Sequence, residues 1–313
     1  MFNRGVTISG FGTSVPDLVH SNQVIENNAP TTAKWIEEKL GIHERRIVIN
    51  ETVSDLGTQA ALAAMKSANL NEEDIDMIVV ATSSPERLSP STACTIHRKL
   101  NFKKNIPCFD INAVCAGFVF AMHLCAPMIS TKMYKNILIV GTEVYSKITD
   151  WKNRNCVFFG DGSGALILSA SEKGWTYSEV HSDGSGTGFT GFNCSLEGTY
   201  NTNPQEVWDA AVTLLPESIK SVLRGANLEV SDISMFFPHQ ASINMIKTIS
   251  TDVGLEHKKI KKVMNKYGNI AGASIPIALG DAFENKEIMK GDKLLLTAIG
   301  SGWSWGSMVI NYE

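Results

Sequence analysis

Cys115 is the first residue of this chain whose surroundings suggest chemistry. It lies in CFDINAVCAGFVFAM, residues 108–122, where a short apolar, strand-like run passes into an uncharged stretch of small residues. A thiol in the first turn of a helix is a candidate nucleophile, because the helix dipole and the unpaired N–H groups favour a thiolate. Ala113, Ala116 and Gly117 leave room for an acyl group, and the N–H groups of such a turn can hold an oxyanion. A free cysteine is more often simply a small buried hydrophobe, so the case for Cys115 depends on partners. His239, in FFPHQAS, sits at a similar strand-to-helix junction, although a histidine in a turn is commonly a satisfied structural residue. Asn269, in KYGNIAGAS, reads alone as a turn residue beside Gly268 and gains meaning only with the other two. His123 lies within an apolar stretch and reads as a core residue, while His43, His97 and His257 lie among charges.

The elements that position these residues occur twice. AALAAMKSANLNEEDIDMIVVATSS, from Ala60, is answered by ESIKSVLRGANLEVSDISMFFPHQAS, from Glu217. Ala68, Asn69, Leu70, Asp74, Ile75 and Met77 meet Ala226, Asn227, Leu228, Asp232, Ile233 and Met235, each 158 residues later. The same offset carries Lys135 onto Lys293 and residues 110–117 onto 268–275, which places Ala273 at the Cys115 position. Such a register implies two similar halves, residues 1–170 with the cysteine and 171–313 with the histidine and asparagine. Each half reads as an amphipathic helix (55–69, 207–224), an apolar run (77–81, 235–237), a buried helix and a second apolar run (137–140, 294–298). Continuously apolar strands are buried on both faces beneath helices. The alternation therefore predicts an α/β fold, a layered α-β-α-β-α sandwich in which the two strand-end turns meet at one site. In GDGSGAL, residues 160–166, a strand-like run follows the glycines where a phosphate loop needs a helix, so they read as turn and close-packing positions.

Composition narrows the class. With 313 residues, 43% of them hydrophobic and 19% charged, the chain can bury a generous core in one large domain or two ordinary ones. A net charge of −4 argues against a nucleic-acid footprint. The start, MFNRGVTISGFG, has no signal-peptide core. The six cysteines show neither CxxC spacing nor a Cys/His cluster, which predicts free thiols in a reducing, cytoplasmic setting and no metal. Residues 111–131 are uncharged and long enough to cross a bilayer, but Asn112, His123 and Pro127 favour a buried core helix.

GTSVP, GIHERR, NETVSDLG, DINAVCAGF, FFGDGSGALIL, FFPHQA, YGNIAGASIPIAL and GWSWGS follow one another in that order. Over nearly its whole length the chain thus resembles the β-ketoacyl-acyl carrier protein synthase III family of the thiolase-like condensing enzymes. The resemblance implies the duplicated thiolase-like fold. It also implies a reaction in which Cys115 takes the acyl group of an acyl-CoA. His239 and Asn269 would then bind the thioester oxygen of a malonyl group, carried by acyl carrier protein or coenzyme A, as it loses carbon dioxide. Backbone N–H groups of Cys115 and of the turn at Ser301 would hold the tetrahedral oxyanion. Trp35 and Arg154 would stack on the adenine of coenzyme A, Lys39 would lie near its phosphates, Ser242 near the pantetheine, and Ser89 would gate the acyl pocket. Coenzyme A enters as a substrate, so no cofactor is implied. The resemblance further implies a homodimer with acyl carrier protein as partner, and neither nucleic acid nor membrane.

The chain departs from the family pattern in places. Ser89 stands where Phe is frequent, and Ser242 replaces an Asn that touches pantetheine. Asn244, Thr251 and Asp252 replace basic residues of the carrier-docking helix. Lys258, Lys259, Lys261 and Lys262 lie just beyond, and either meet an acidic carrier or form a solvated face. Segment 188–205 would reshape the acyl and pantetheine tunnel. An acyltransferase passing the Cys115 acyl group to a non-malonyl nucleophile is the alternative activity, and a non-catalytic half of a heterodimer is a third.

Overall fold

Thr52 starts the helix Val53–Ala68. Its hydroxyl accepts the Asp55 N–H while the Asp55 carboxylate accepts the Thr52 N–H, a capping box. Asn69, with φ +54°, ends that helix in the left-handed conformation. Asn227, with φ +55°, repeats the geometry just past the helix Pro204–Gly225. Both helices begin slightly before the ranges their apolar spacing predicts, because Thr52 and Asn203 cap them.

In the computed structural model, which describes residues 5–185, 190–195 and 198–313, these helices cover two mixed sheets. The first sheet has the order Gly5–Ser14, Asp161–Ser171, Asn136–Val144, Met77–Ala81, Cys108–Ile111, the last three strands mutually parallel. The second has the order Met235–Pro238, Lys293–Gly300, Ser304–Asn311, Trp175–Ser182, with the first pair parallel. The chain leaves the first sheet at Ser171 and enters the second at Trp175. Helices Gly117–Ser130 and Ser274–Glu284 lie between the sheets, where Phe118, Met122, Ile277 and Leu279 share one core with both inner sheet faces. Val53–Ala68 and Thr92–Lys99 cover the outside of the first sheet, and Pro204–Gly225 and Ile243–Asp252 that of the second. This is the expected α-β-α-β-α sandwich. The uncharged segment 111–131 is a strand end, a turn and the central helix. Among the described residues no helix is long and apolar enough to cross a membrane.

Two details of the sequence reading change. Gly162 and Gly164 lie inside the strand Asp161–Ser171, not in a turn before it. A Cβ on Gly164 would stand 2.6 Å from the backbone of Pro276 and Ile277, so the glycine lets the central helix rest directly on the strand. The offset between the halves also slips. Met77 pairs with Ile137 and Met235 with Leu294, so the second strands are 157 residues apart where the first are 158. The counterpart of Lys293 is therefore Asn136, not Lys135. The central helices start at Gly117 and Ser274, also 157 apart. The counterpart of Cys115 is thus Gly272, not Ala273, and that of Asn269 is Asn112.

Candidate active site

Asn112 builds the turn that presents Cys115. Its Oδ1 accepts the Val114 N–H at 3.2 Å, and the Ala116 N–H closes on the Ala113 carbonyl at 3.0 Å. Between them Val114 takes φ +49°, a costly conformation for a β-branched residue. Asn269 builds its own turn the same way. Its Oδ1 accepts the Ala271 N–H at 2.8 Å, Ala271 has φ +38°, and the Ala273 N–H closes on the Ile270 carbonyl at 2.8 Å. With Oδ1 engaged, the amide Nδ2 of Asn269 is the end left to serve the cavity.

His239 ends the strand Met235–Pro238, its N–H donating to the Thr297 carbonyl at 2.8 Å. The following Gln240 is fully buried and ties the turn down on both sides. Its Nε2 donates to the carbonyls of Pro238 and Lys261, and its Oε1 accepts the N–H groups of Val263 and Met264. The imidazole is buried and its Nδ1 has no hydrogen-bond partner among the described residues. Burial pulls its pKa down to about 4, so His239 is neutral at neutral pH.

The thiol does not follow expectation. Cys115 is partly exposed and lines a cavity, and burial, then the Glu143 carboxyl, push its pKa above the usual thiol range. Together they outweigh its own backbone N–H, the one group that favours the thiolate. At neutral pH Cys115 is therefore a protonated thiol.

Cys115, His239 and Asn269 face one cavity of about 590 Å³, whose wall also includes Gly300 and Ser301. Gly300 lies against the nucleophile's turn, where a Cβ would stand 2.8 Å from the Cys115 nitrogen. Residues 109–184 match the family described as 3-oxoacyl-[acyl-carrier-protein (ACP)] synthase III, and residues 223–312 match its C-terminal part. The β-ketoacyl-[acyl-carrier-protein] synthase III of Clostridium acetobutylicum is 39% identical over 99% of both chains. The chain belongs to the β-ketoacyl-acyl carrier protein synthase III family. The crystal structure of 3-oxoacyl-[acyl-carrier-protein] synthase III from Aquifex aeolicus superposes with a TM-score of 0.95 and 34% identity, over 98% of this chain and 100% of that one. A priming β-ketosynthase from the R1128 polyketide pathway superposes with a TM-score of 0.93 and 26% identity, over 99% and 97% of the two chains.

The residues that the synthase III resemblance assigns to coenzyme A meet at the cavity. Trp35, Lys39, Arg154 and Ser242 all line it. The Arg154 guanidinium lies 4.5 Å from the centre of the Trp35 ring. An adenine between them would need about 7 Å, two van der Waals contacts, which is more than the 4.5 Å that separates the two groups here. Ser242 spends its hydroxyl on the Met245 N–H, at 3.1 Å, as the cap of helix Ile243–Asp252. Ser89 is not part of the cavity wall. Its loop runs outward, Ser89 and Pro90 are exposed, and Leu88 is 77% exposed. The lysines beyond the helix are mostly engaged. Lys261 is buried between Asp281 at 2.6 Å and Glu287 at 2.5 Å, Lys258 and Lys259 pair with Glu256, and Lys262 is exposed. In segment 188–205, Phe192–Asn193 pairs with Asn201–Thr202, and Phe192 and Thr202 line the cavity. Gly188, Phe189, Leu196 and Glu197 lie outside the described residues.

Sequence reasoning missed what surrounds the thiol. Cys115 packs on a cluster of Tyr145, Phe159, Phe192 and Tyr200. All six pairs of these rings have centroids 4.5–6.3 Å apart. Two rings are pinned by their hydroxyls, Tyr145 to the Ser83 hydroxyl at 2.9 Å and Tyr200 to the Asn155 carbonyl. The four rings come from separate segments, and each alone reads as ordinary core. Glu143 was missed too, though it left a signal: it is the one carboxylate inside the otherwise uncharged run NILIVGTEVY.

Proposed function

We propose that this protein joins an acyl primer to a malonyl thioester by decarboxylating Claisen condensation, as in the initiation of fatty acid synthesis. The observation that carries the reading is the meeting of Cys115, His239 and Asn269 in one cavity of a synthase III chain. The Cys115 sulfur attacks the carbonyl of an acyl-CoA. The S–C bond to coenzyme A breaks, and the thiol proton leaves with the coenzyme A sulfur, with neutral His239 able to take and return it. The N–H groups of Cys115 and Ser301 serve the tetrahedral oxyanion. A malonyl thioester then loses carbon dioxide. The electron pair of its C–C bond moves into an enolate whose oxygen accepts from His239 and the Asn269 amide. The enolate carbon attacks the acyl-cysteine carbonyl, the C–S bond to Cys115 breaks as the β-ketoacyl thioester leaves, and the released thiolate takes up a proton from water. These steps balance without metal or redox cofactor.

The ring cluster supports a short primer. Four mutually contacting rings pack beside the thiol, and a long chain of methylenes would have to displace them. Acyl carrier protein as malonyl donor, a cytoplasmic setting and a homodimer complete the proposal. Incubation with acetyl-CoA followed by intact-mass measurement tests it: an acetyl adduct forms and disappears as malonyl carrier protein releases carbon dioxide. Acylation without carbon dioxide release would point to transfer to another nucleophile, and the absence of any adduct would overturn both readings.

A further inference from the structure

Glu143 is fully buried at the junction of the two halves, and the reaction outlined above does not use it. Among the described residues its carboxylate is held by hydrogen-bond donors. The Ser83 N–H lies 3.1 Å from both oxygens, the Ser83 hydroxyl is at 2.9 Å, the Ser84 hydroxyl at 2.5 Å and the Thr82 hydroxyl at 3.3 Å. These come from the first half. The Gly272 backbone, from the second half, lies against this carboxylate: a Cβ on Gly272 would stand 3.2 Å from Glu143 Oε1, and the peptide group there favours the charged form.

The corrected register between the halves shows what this cradle is. Gly272 is the counterpart of Cys115, and Gly300, 157 residues after Glu143, is the counterpart of Glu143. On the Cys115 side the strand ends in a glycine, so the Cys115 N–H keeps an open cavity beside it. On the Gly272 side the strand carries Glu143, whose carboxyl group packs against the Gly272 backbone from within the protein. The turn thereby held is that of Asn269, whose own Oδ1 engages the Ala271 N–H next to Gly272.

We propose that Glu143 is a positioning residue: its carboxylate fills the pseudo-symmetric twin of the Cys115 oxyanion site and so fixes the Asn269 turn for the decarboxylation half of the reaction. The inference rests on the condensing activity proposed above. It separates the two half-reactions. Burial raises the Glu143 pKa to about 7 against the hydrogen bonds that favour its charged form, and that charged form disfavours the Cys115 thiolate, so removing the charge does not slow acylation. Loosening the turn does slow decarboxylation, because Asn269 then no longer meets the enolate oxygen in register with His239.

The test measures each half-reaction in Glu143→Gln and Ser84→Ala, with melting temperature and circular dichroism reporting the fold. In Glu143→Gln the amide turns an NH2 group against fixed donors. Acylation by acetyl-CoA is expected to be unchanged or faster, while carbon dioxide release from malonyl carrier protein falls at least tenfold. In Ser84→Ala, which keeps the carboxylate but removes one donor, release falls two- to fivefold with acylation again retained. A common loss of both half-reactions in folded protein overturns the proposal, and so does carbon dioxide release at the wild-type rate in both variants. If Glu143→Gln does not fold, the Ser84→Ala split decides alone. Wild-type protein that forms no acyl adduct overturns the condensing activity itself, and with it this role. Wild-type protein that acylates and decarboxylates, with variants that show no split, sinks only the role of Glu143.

Discussion

In the proposed reaction Cys115 acts on one bond, and His239 with Asn269 on another, so single substitutions separate them. Cys115→Ala is expected to give no acyl adduct by intact mass. His239→Ala and Asn269→Ala are expected to acylate but to release carbon dioxide at least about 100-fold more slowly, the scale on which single oxyanion donors act. His239 also sets a pH signature. Its folded pKa of about 4 lies below the unfolded value of 6.5, so the unfolded chain binds a proton that the folded one refuses. Stability from this group is complete above pH 6.5, declines as pH falls, and is lost below about pH 4, a change of about 3 kcal/mol. Denaturant unfolding at pH 4 and pH 7 checks this: His239→Gln should show a smaller pH difference than wild type, and an equal difference would count against a buried neutral histidine. Cys115 and His239 were legible in the sequence because each sits where an apolar strand gives way to a helix. Asn269 was legible only through them. Tyr145 was not, because its contact with Ser83 joins residues far apart in sequence, and Glu143 left only the trace of a lone carboxylate in an apolar run.

At the scale of elements, the repeated pattern of helix, apolar strand and buried helix was readable because both halves keep the same apolar spacing. The one-residue slip was hidden, since KNILIV and DKLLLT align plausibly at either offset. Only strand pairing, Met77 with Ile137 and Met235 with Leu294, fixes the register. The glycines of GDGSGAL were half legible. Their close packing was expected, but their place within a strand depends on the helix Ser274–Glu284 lying against them. That contact makes a prediction. Gly164→Ala puts a methyl group 2.6 Å from the backbone of Pro276 and Ile277, which cannot give way without moving the central helix. The expected loss is about 1–3 kcal/mol in denaturant unfolding. Gly184→Ala, where a Cβ meets nothing within 4 Å, is expected to be close to neutral.

At the scale of the whole molecule the two halves differ most at their sheet edges. The outer edge of Met235–Pro238 is taken by the segment at Ile260, through a parallel bridge to Phe236 and the Lys261 N–H on the Phe236 carbonyl at 2.9 Å. The equivalent edge of the first sheet, Cys108–Ile111, has no strand beyond it among the described residues, and Phe109 on it is 36% exposed. An open edge strand with an exposed aromatic is a template for a second chain. Docking two copies edge to edge would join their first sheets. It would also reconcile two observations about Ser89: the family resemblance gives it to an acyl pocket, yet its loop turns away from the cavity of its own chain. Light scattering during size-exclusion chromatography is expected to give twice the chain mass of 34.1 kDa. Phe109→Lys places a charge on each of two facing edges, and is expected to yield folded monomer with reduced acylation by acetyl-CoA. A Phe109→Lys protein that remains a dimer would move the interface elsewhere. A fully active monomer would show that each cavity is complete within one chain.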